Sequence, residues 1–394
     1  MIMNKSYLGQ HKKKLTSNGV KKSLLVTLEM PPQIGGIASY YSSLCQNLDK
    51  DKIIVLASHD SQAGDFDRAV DYKIYRKNLL TAWPVWPRWL FLFYYVYDLV
   101  RREKIEYLQV GQVLPVGAVA LIYKKILNLP YLVYIHGMDL LSAQRTGRKK
   151  YLLKKILDNA DRIVTVSQFN VEQLKKININ PERIFLIPPG LTPPEAVTEE
   201  KLNDLRQRFQ LADKKKLLTI GRLVARKGHD QVVRALPAVL KKIPNLVYII
   251  AGDGDYRQDL ERLVSQNNLE NQVIFTGRVS ETDKSALYDL ADVFIMPSRQ
   301  IDDFDVEGFG IVFLEAGHYG KPVIAGQSGG VADAVVDGQT GLLVDPENIN
   351  EISQAIIKLL TDPELADKLG RQGQQRVIAE FNWKNQAAKL CTIL

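Results

Sequence analysis

Two carboxylates, Glu307 and Glu315, stand eight positions apart in the stretch from Met296 to Tyr319. Between them lie Gly308, Phe309, Gly310 and Ile311, and before them an apolar run, Val293 to Met296. This layout reads as strand, loop, glycine turn and helix start. A helix N-terminus offers unpaired N–H groups and a partial positive charge, which suit an anion or a polyhydroxylated ligand. Glycines let the backbone approach that ligand closely. If the segment is mostly helical, eight residues rise about 12 Å, the reach from one sugar across a diphosphate to a second. Carboxylates accept hydrogen bonds from hydroxyls, so one could hold each end of a nucleotide-sugar. The plainer reading is a helix cap and a surface glutamate.

Cations follow a second strand. Arg222 comes directly after Lys216–Gly221, and Lys227-Gly228 precedes a helix. An Arg fork and a Lys point charge on one strand–helix loop can neutralise a diphosphate. Arg226 is a further cation without an assigned role. His136 ends a strand in Tyr-Ile-His-Gly-Met-Asp, where parallel α/β sheets bind ligands. Gly35-Gly36 sits between a first strand, Lys22–Glu29, and a helix, Ile37–Leu48, again a geometry for approaching phosphate. It is not a GxGxxG fingerprint, so a nicotinamide site is disfavoured. Gly252 opens a Gly-Asp-Gly turn placed to line a nucleotide pocket, and Arg278 follows the strand Val273–Gly277.

These residues need a scaffold. The chain has 394 residues, 46% of them apolar and 24% charged, which fits a globular enzyme of two domains. Apolar strands alternate with helical runs throughout, the doubly wound α/β pattern. In the first half the strands are Ile53–Ala57, Tyr107–Val110, Tyr131–His136, Arg162–Val166 and Ile184–Ile187. Pro188-Pro189-Gly190 and Pro193-Pro194 mark the linker, with a helix from Glu195 to Arg208. Cys45 and Cys391 are the two cysteines, so neither a disulfide framework nor a thiolate metal site is expected, and a cytoplasmic compartment is favoured. A basic tail covers residues 1–20 and reads as disordered, without a secretory signal.

The formal net charge of +8 is uneven. Residues 1–195 hold 28 Lys/Arg against 16 Asp/Glu, and residues 196–394 hold 24 against 28. A basic first half fits an acidic acceptor or an anionic membrane surface; nucleic acid is disfavoured because no recognition motif accompanies the charge. The aromatic segment Trp83–Val100 reads as packed helix, and any exposed part would form a membrane-interface belt. Arg145, Arg148, Lys149, Lys150, Lys154 and Lys155 form a basic cluster, either a solvated face or a headgroup contact.

The run Asp-Val-Glu-Gly-Phe-Gly-Ile-Val-Phe-Leu-Glu-Ala (305–316) and the Gly-Arg…Lys-Gly loop (221–228) resemble the signatures of retaining glycosyltransferase family 4, especially its phosphatidylinositol mannosyltransferase branch. The resemblance implies a GT-B fold, two Rossmann-like doubly wound domains facing across a cleft. Its expected parts are an acceptor domain at 21–190, a nucleotide-sugar domain at 191–375 and a helix at 376–394 crossing back to the first. It also implies roles. Arg222 and Lys227 stabilise the leaving diphosphate. Glu307 and the amides of Gly308, Phe309, Gly310 and Ile311 hold sugar hydroxyls. Glu315 holds the ribose, and His136 contacts the transferred sugar. Gly35, Gly36, Gly221, Gly252 and Arg278 border the donor, and Val166-Ser167 presents a serine loop to the cleft. Asp333 replaces the usual Glu of a Gly-Gly-x-x-Glu loop, an N-cap turn with a sugar contact.

The expected reaction is hexosyl transfer, with retention, from GDP-mannose or a UDP-sugar to a lipid, lipid-linked glycan or polysaccharide precursor. No cofactor is expected beyond the donor as co-substrate, and no metal, since Asp302, Asp303 and Asp305 lack His or Cys partners. A nucleotide-sugar epimerase on the same scaffold and a non-catalytic sugar-nucleotide-binding protein are the alternatives. The epimerase would need no acceptor; the binding protein would be expected to lack one of Arg222, Lys227 or Glu307.

Overall fold

The structure, a computed structural model, describes residues 19–33, 35–80, 87–194 and 196–394. The tail expected at residues 1–20 lies outside these up to residue 18, as do residues 83–86 of the aromatic segment and residue 195 at the expected start of the linker helix.

Two parallel sheets form the frame. The first contains β1 (Ser23–Thr27), β2 (Ile53–Ser58), β3 (Lys73–Lys77), β4 (Tyr107–Val110), β5 (Tyr131–Ile135), β6 (Arg162–Thr165) and β7 (Ile184–Leu186) in the order β3-β2-β1-β4-β5-β6-β7. The second contains β8 (Lys215–Ile220), β9 (Leu246–Ala251), β10 (Val273–Gly277), β11 (Val293–Met296), β12 (Val323–Gly326) and β13 (Gly341–Val344) in the order β10-β9-β8-β11-β12-β13. Strands β1, β2, β4, β5, β9 and β11 are buried along almost their whole length, because helices cover both faces of a parallel sheet. That burial explains their continuous apolar runs. The edge strand β3 is half exposed and polar, and no apolar run announces it in the sequence.

Each sheet reverses its winding once. The reversal falls between β1 and β4 in the first sheet and between β8 and β11 in the second. Loops leaving the carboxyl ends of such a strand pair diverge and open a crevice. Here those loops include Leu28–Gln33 and Gly111–Pro115 in the first domain, and Gly221–Gly228 and Pro297–Gly310 in the second. The topology therefore brings the cation loop and the Glu307 loop together, although about eighty residues separate them.

The linker helix runs from Glu199 to Arg208, with Thr198 capping it through Lys201 N. Helix Pro363–Glu380 packs on helix Ile311–His318 in the second domain. The chain then returns: Asn382 caps helix Trp383–Cys391, which packs on helix Gly36–Gln46 of the first domain. The rings of Tyr40 and Trp383 meet edge to face at 5.4 Å. Leu191 N donates to Phe381 O at 2.6 Å, tying the linker to this crossing.

Candidate active site

The centre of the site is an ion pair. Lys227 Nζ lies 2.7 Å from Glu307 Oε2, and Arg226 Nε approaches the same oxygen at 3.7 Å. All three side chains are 11% exposed. Burial pushes the Glu307 carboxyl up, but Lys227, Arg226 and Arg222 outweigh it and hold the group below its ordinary range. Glu307 is therefore ionised, an acceptor with lone pairs to spare. Arg226 also bonds Asp305 Oδ1 at 3.2 Å, which gives the unassigned cation a place: it braces the Glu307 loop. Asp302, on the same loop, pairs with Arg145 of the first domain at 3.1 Å.

Arg222 follows β8 and Gly221 and is exposed to the crevice. Its charge acts on Glu307 and, across the crevice, on Glu29 at the end of β1. Burial raises the Glu29 carboxyl and Arg222 opposes that rise. Glu29 escaped the sequence reading because a single acid after a buried strand carries no motif.

The Glu307–Glu315 segment is not one helix. Residues 297–310 form a loop, and the helix starts at Ile311. Gly310 takes φ +89°, in the left-handed region that L side chains avoid, and this turn sets the helix off from Glu307. The 12 Å helical rise between the carboxylates therefore does not apply. Glu315 lies on the helix in its own cluster, with Lys284 Nζ at 3.0 Å and Tyr288 OH at 2.7 Å. Gly308 is where the domains touch: a Cβ there would stand 2.2 Å from the carbonyl oxygen of His136. Phe309 is buried against Phe381, so only its backbone is free for a ligand. Gly36 faces Ile311 from the first domain, Gly35 caps its helix, and Gly252 lies against the carbonyl of Gly221. Arg278 is not gathered in; its side chain is 80% exposed and comes no nearer than 3.9 Å to Asp253.

His136 stands among aromatic rings. Tyr40 and Tyr41 meet it edge on at 5.2 and 5.3 Å, and Tyr134 lies parallel to it at 6.4 Å. Burial lowers its pKa to about 3, so the imidazole is neutral. Asp139 anchors the turn beneath it: Oδ1 accepts from the N–H groups of His136, Gly137 and Leu140 at 3.1, 2.9 and 2.9 Å. Burial still lifts the Asp139 carboxyl to about 6 against those donors.

Two expected contacts do other work. Ser167 is fully buried and caps helix Gln168–Lys176 through Asn170 N. Asp333 reaches the same helix end from the second domain, its Oδ2 accepting from Gln168 N at 2.9 Å. Its carboxylate is engaged across the domain seam. Among the described residues, no helix is long and apolar enough to cross a membrane.

The site is thus a crevice with a carboxylate, three cations and a row of backbone amides between two Rossmann-like domains. Residues 34–193 match Glycosyltransferase Family 4 and residues 202–376 match Glycosyl transferases group 1. The chain is 30% identical over 388 residues to a GDP-mannose-dependent monoacylated alpha-(1-6)-phosphatidylinositol monomannoside mannosyltransferase of Corynebacterium glutamicum, covering 95% of this chain and 98% of that one. It is 31% identical over 390 residues to a GDP-mannose-dependent alpha-(1-6)-phosphatidylinositol monomannoside mannosyltransferase of Mycobacterium tuberculosis, covering 95% and 98%. The crystal structure of Anabaena Alr3699/HepE in complex with UDP and glucose superposes with a TM-score of 0.79 at 19% identity, over 95% of this chain and 100% of that one. That likeness establishes the GT-B fold. With near full-length relatives at this identity, the chain belongs to glycosyltransferase family 4 and is a glycosyltransferase.

Proposed function

We propose that this enzyme transfers a mannosyl group from GDP-mannose to a phosphatidylinositol-type lipid at a membrane surface, with retention and without a resident metal. The observation that carries the reading is the Lys227–Glu307 pair with Arg222 and Arg226 around it, set at the crevice between the domains. Arg222 and Lys227 neutralise the diphosphate as it leaves, the charge stabilisation a metal would otherwise supply. Glu307, held ionised, accepts from the sugar hydroxyls, and the amides after it point at the same group. Glu315 keeps lone pairs beyond Lys284 and Tyr288 for a ribose. The departing phosphate oxygen takes the acceptor's proton, so no protein nucleophile is assigned. Mannose as the transferred group and a phosphatidylinositol-type acceptor are supported by the relatives, which are GDP-mannose-dependent phosphatidylinositol monomannoside mannosyltransferases.

The surface supports a lipid acceptor. Helix Leu90–Arg102 exposes Leu90, Phe91, Tyr94 and Tyr97 by 46, 46, 63 and 41% along one stripe. Arg101 sits over the Tyr97 ring. Helix Val116–Leu127 packs on it and in turn on helix Gly147–Asn159, all three over one shared core, and the last exposes Arg148, Lys149, Lys150 and Tyr151. Exposed aromatic and basic side chains of this kind suit an anionic bilayer interface.

The test is transfer from a panel of GDP- and UDP-sugars, with neutral vesicles, with phosphatidylinositol vesicles and without lipid. Mannosyl lipid formed only from GDP-mannose and phosphatidylinositol supports the reading. Substituting Phe91→Ser and Tyr94→Ser should then lower vesicle binding about tenfold while sparing donor binding. Transfer to a soluble acceptor at an equal rate would overturn the lipid assignment, and binding of no donor would overturn the whole.

A further inference from the structure

Tyr41 makes two short contacts through one hydroxyl. Its oxygen is 2.5 Å from the carbonyl oxygen of Gly111 and 2.7 Å from Nε2 of His136. Two oxygens that close need a proton between them, and the Gly111 carbonyl has none to give. The single phenolic proton is therefore directed to Gly111. The contact with His136 then requires a second proton, and only the imidazole can supply it. In a neutral ring, a protonated Nε2 leaves Nδ1 bare.

We propose that Tyr41 is a positioning residue that locks His136 in the Nε2–H tautomer, so that Nδ1 presents a lone pair to accept a hydrogen bond from a hydroxyl of the transferred sugar. This rests on the hexosyl-transfer reading above and deepens it. Tyr41 is fully buried, and its ring is gripped by Tyr40, Tyr134 and His136 with centroids at 5.7, 5.2 and 5.3 Å. The hydroxyl thus has little freedom to turn. The Gly111 carbonyl it bonds is itself fixed, because Gly111 N donates to Val26 O at 2.8 Å at the end of β1. The backbone carbonyl of His136 lies directly against Gly308, which sets this residue beside the Glu307–Gly308 loop. An acceptor there complements the acceptor at Glu307: both demand O–H donors from the ligand. A sugar lacking the hydroxyl that meets Nδ1 would be transferred poorly.

The experiment is two-bond proton–nitrogen correlation on the full chain labelled at histidine, with the His136 signals identified by their loss in His136→Gln. The expected wild-type pattern has Nε2 protonated and Nδ1 bare. Tyr41→Phe keeps the ring and removes the hydroxyl. It should admit the Nδ1–H tautomer and lower kcat roughly tenfold or more, with the donor KM within about threefold. A protonated Nδ1 in the wild type overturns the proposal even if Tyr41→Phe fails to fold. An unchanged tautomer in Tyr41→Phe overturns it, and so does a changed tautomer with unchanged kcat. The spectrum requires neither donor nor acceptor, so failure of the mannosyl-transfer assay and failure of the tautomer assignment are separate results.

Discussion

The ammonium of Lys227 and the carboxylate of Glu307 meet at 2.7 Å, each side chain 11% exposed, from loops that leave the neighbouring strands β8 and β11. Neither charge is comfortable alone at that depth. The pair keeps Glu307 ionised without using all of its lone pairs, and keeps Lys227 in place without burying it against hydrocarbon.

Removing one partner should therefore cost more than removing both. Lys227→Met should destabilise the fold by roughly 3 kcal/mol, since it strands a buried carboxylate; Arg226 at 3.7 Å keeps the loss from being larger. Adding Glu307→Gln should recover most of that stability and none of the transfer activity. Chemical unfolding and a transfer assay on the two variants check both halves.

Asp333 couples the domains by accepting from the backbone N–H groups of Gln168 and Phe169 at the N-terminus of helix Gln168–Lys176. Asp333→Ala should cost about 1 kcal/mol, the usual loss for a helix cap, and should shift solution scattering towards a more open pair of domains. Asp333→Asn keeps an acceptor oxygen and should fall between. An unchanged scattering profile in Asp333→Ala would show that these bonds do not hold the seam.

A pH dependence follows from His229, buried at the start of helix His229–Leu240. Burial, then the charge of Lys227, lowers its pKa from 6.5 to about 3. Below pH 6.5 the unfolded chain binds a proton there and the folded chain does not. The stability is thus fully present above 6.5 and is lost as pH falls towards 3. Relative to His229→Gln, the wild type should lose about 1.4 kcal/mol per pH unit in that window, or about 2 kcal/mol by pH 5. Unfolding curves of both proteins at pH 7.5, 6 and 5 measure the difference; parallel behaviour would mean that His229 is protonated in the fold.

The strands that bear the site were legible because parallel-sheet burial writes itself as apolar runs; Arg222 was legible because it follows such a run directly, and Lys227 and Glu307 because each precedes a glycine in a loop after such a run. Strand β3 was not, since an edge strand carries polar residues such as Lys73 and Arg76. The separation of Glu307 from Glu315 was misread because residue spacing alone does not say where a helix begins; Gly310 decides it. Tyr41, Glu29 and the Asp333 contact act through residues distant in sequence, and no local pattern marks them. Ser167 looked like a ligand contact because capping a helix and facing a crevice both place a serine at a strand end.

The most direct test of the account is single-turnover transfer by Arg222→Ala. Arg222 is exposed and its charge falls on both Glu307 and Glu29, the position from which a leaving diphosphate would be stabilised. Its loss should raise the barrier by about 2–4 kcal/mol, roughly a 30- to 1000-fold slower step, with donor binding weakened far less. A single-turnover rate close to that of the wild type would contradict the claim that the diphosphate leaves between Arg222 and Lys227.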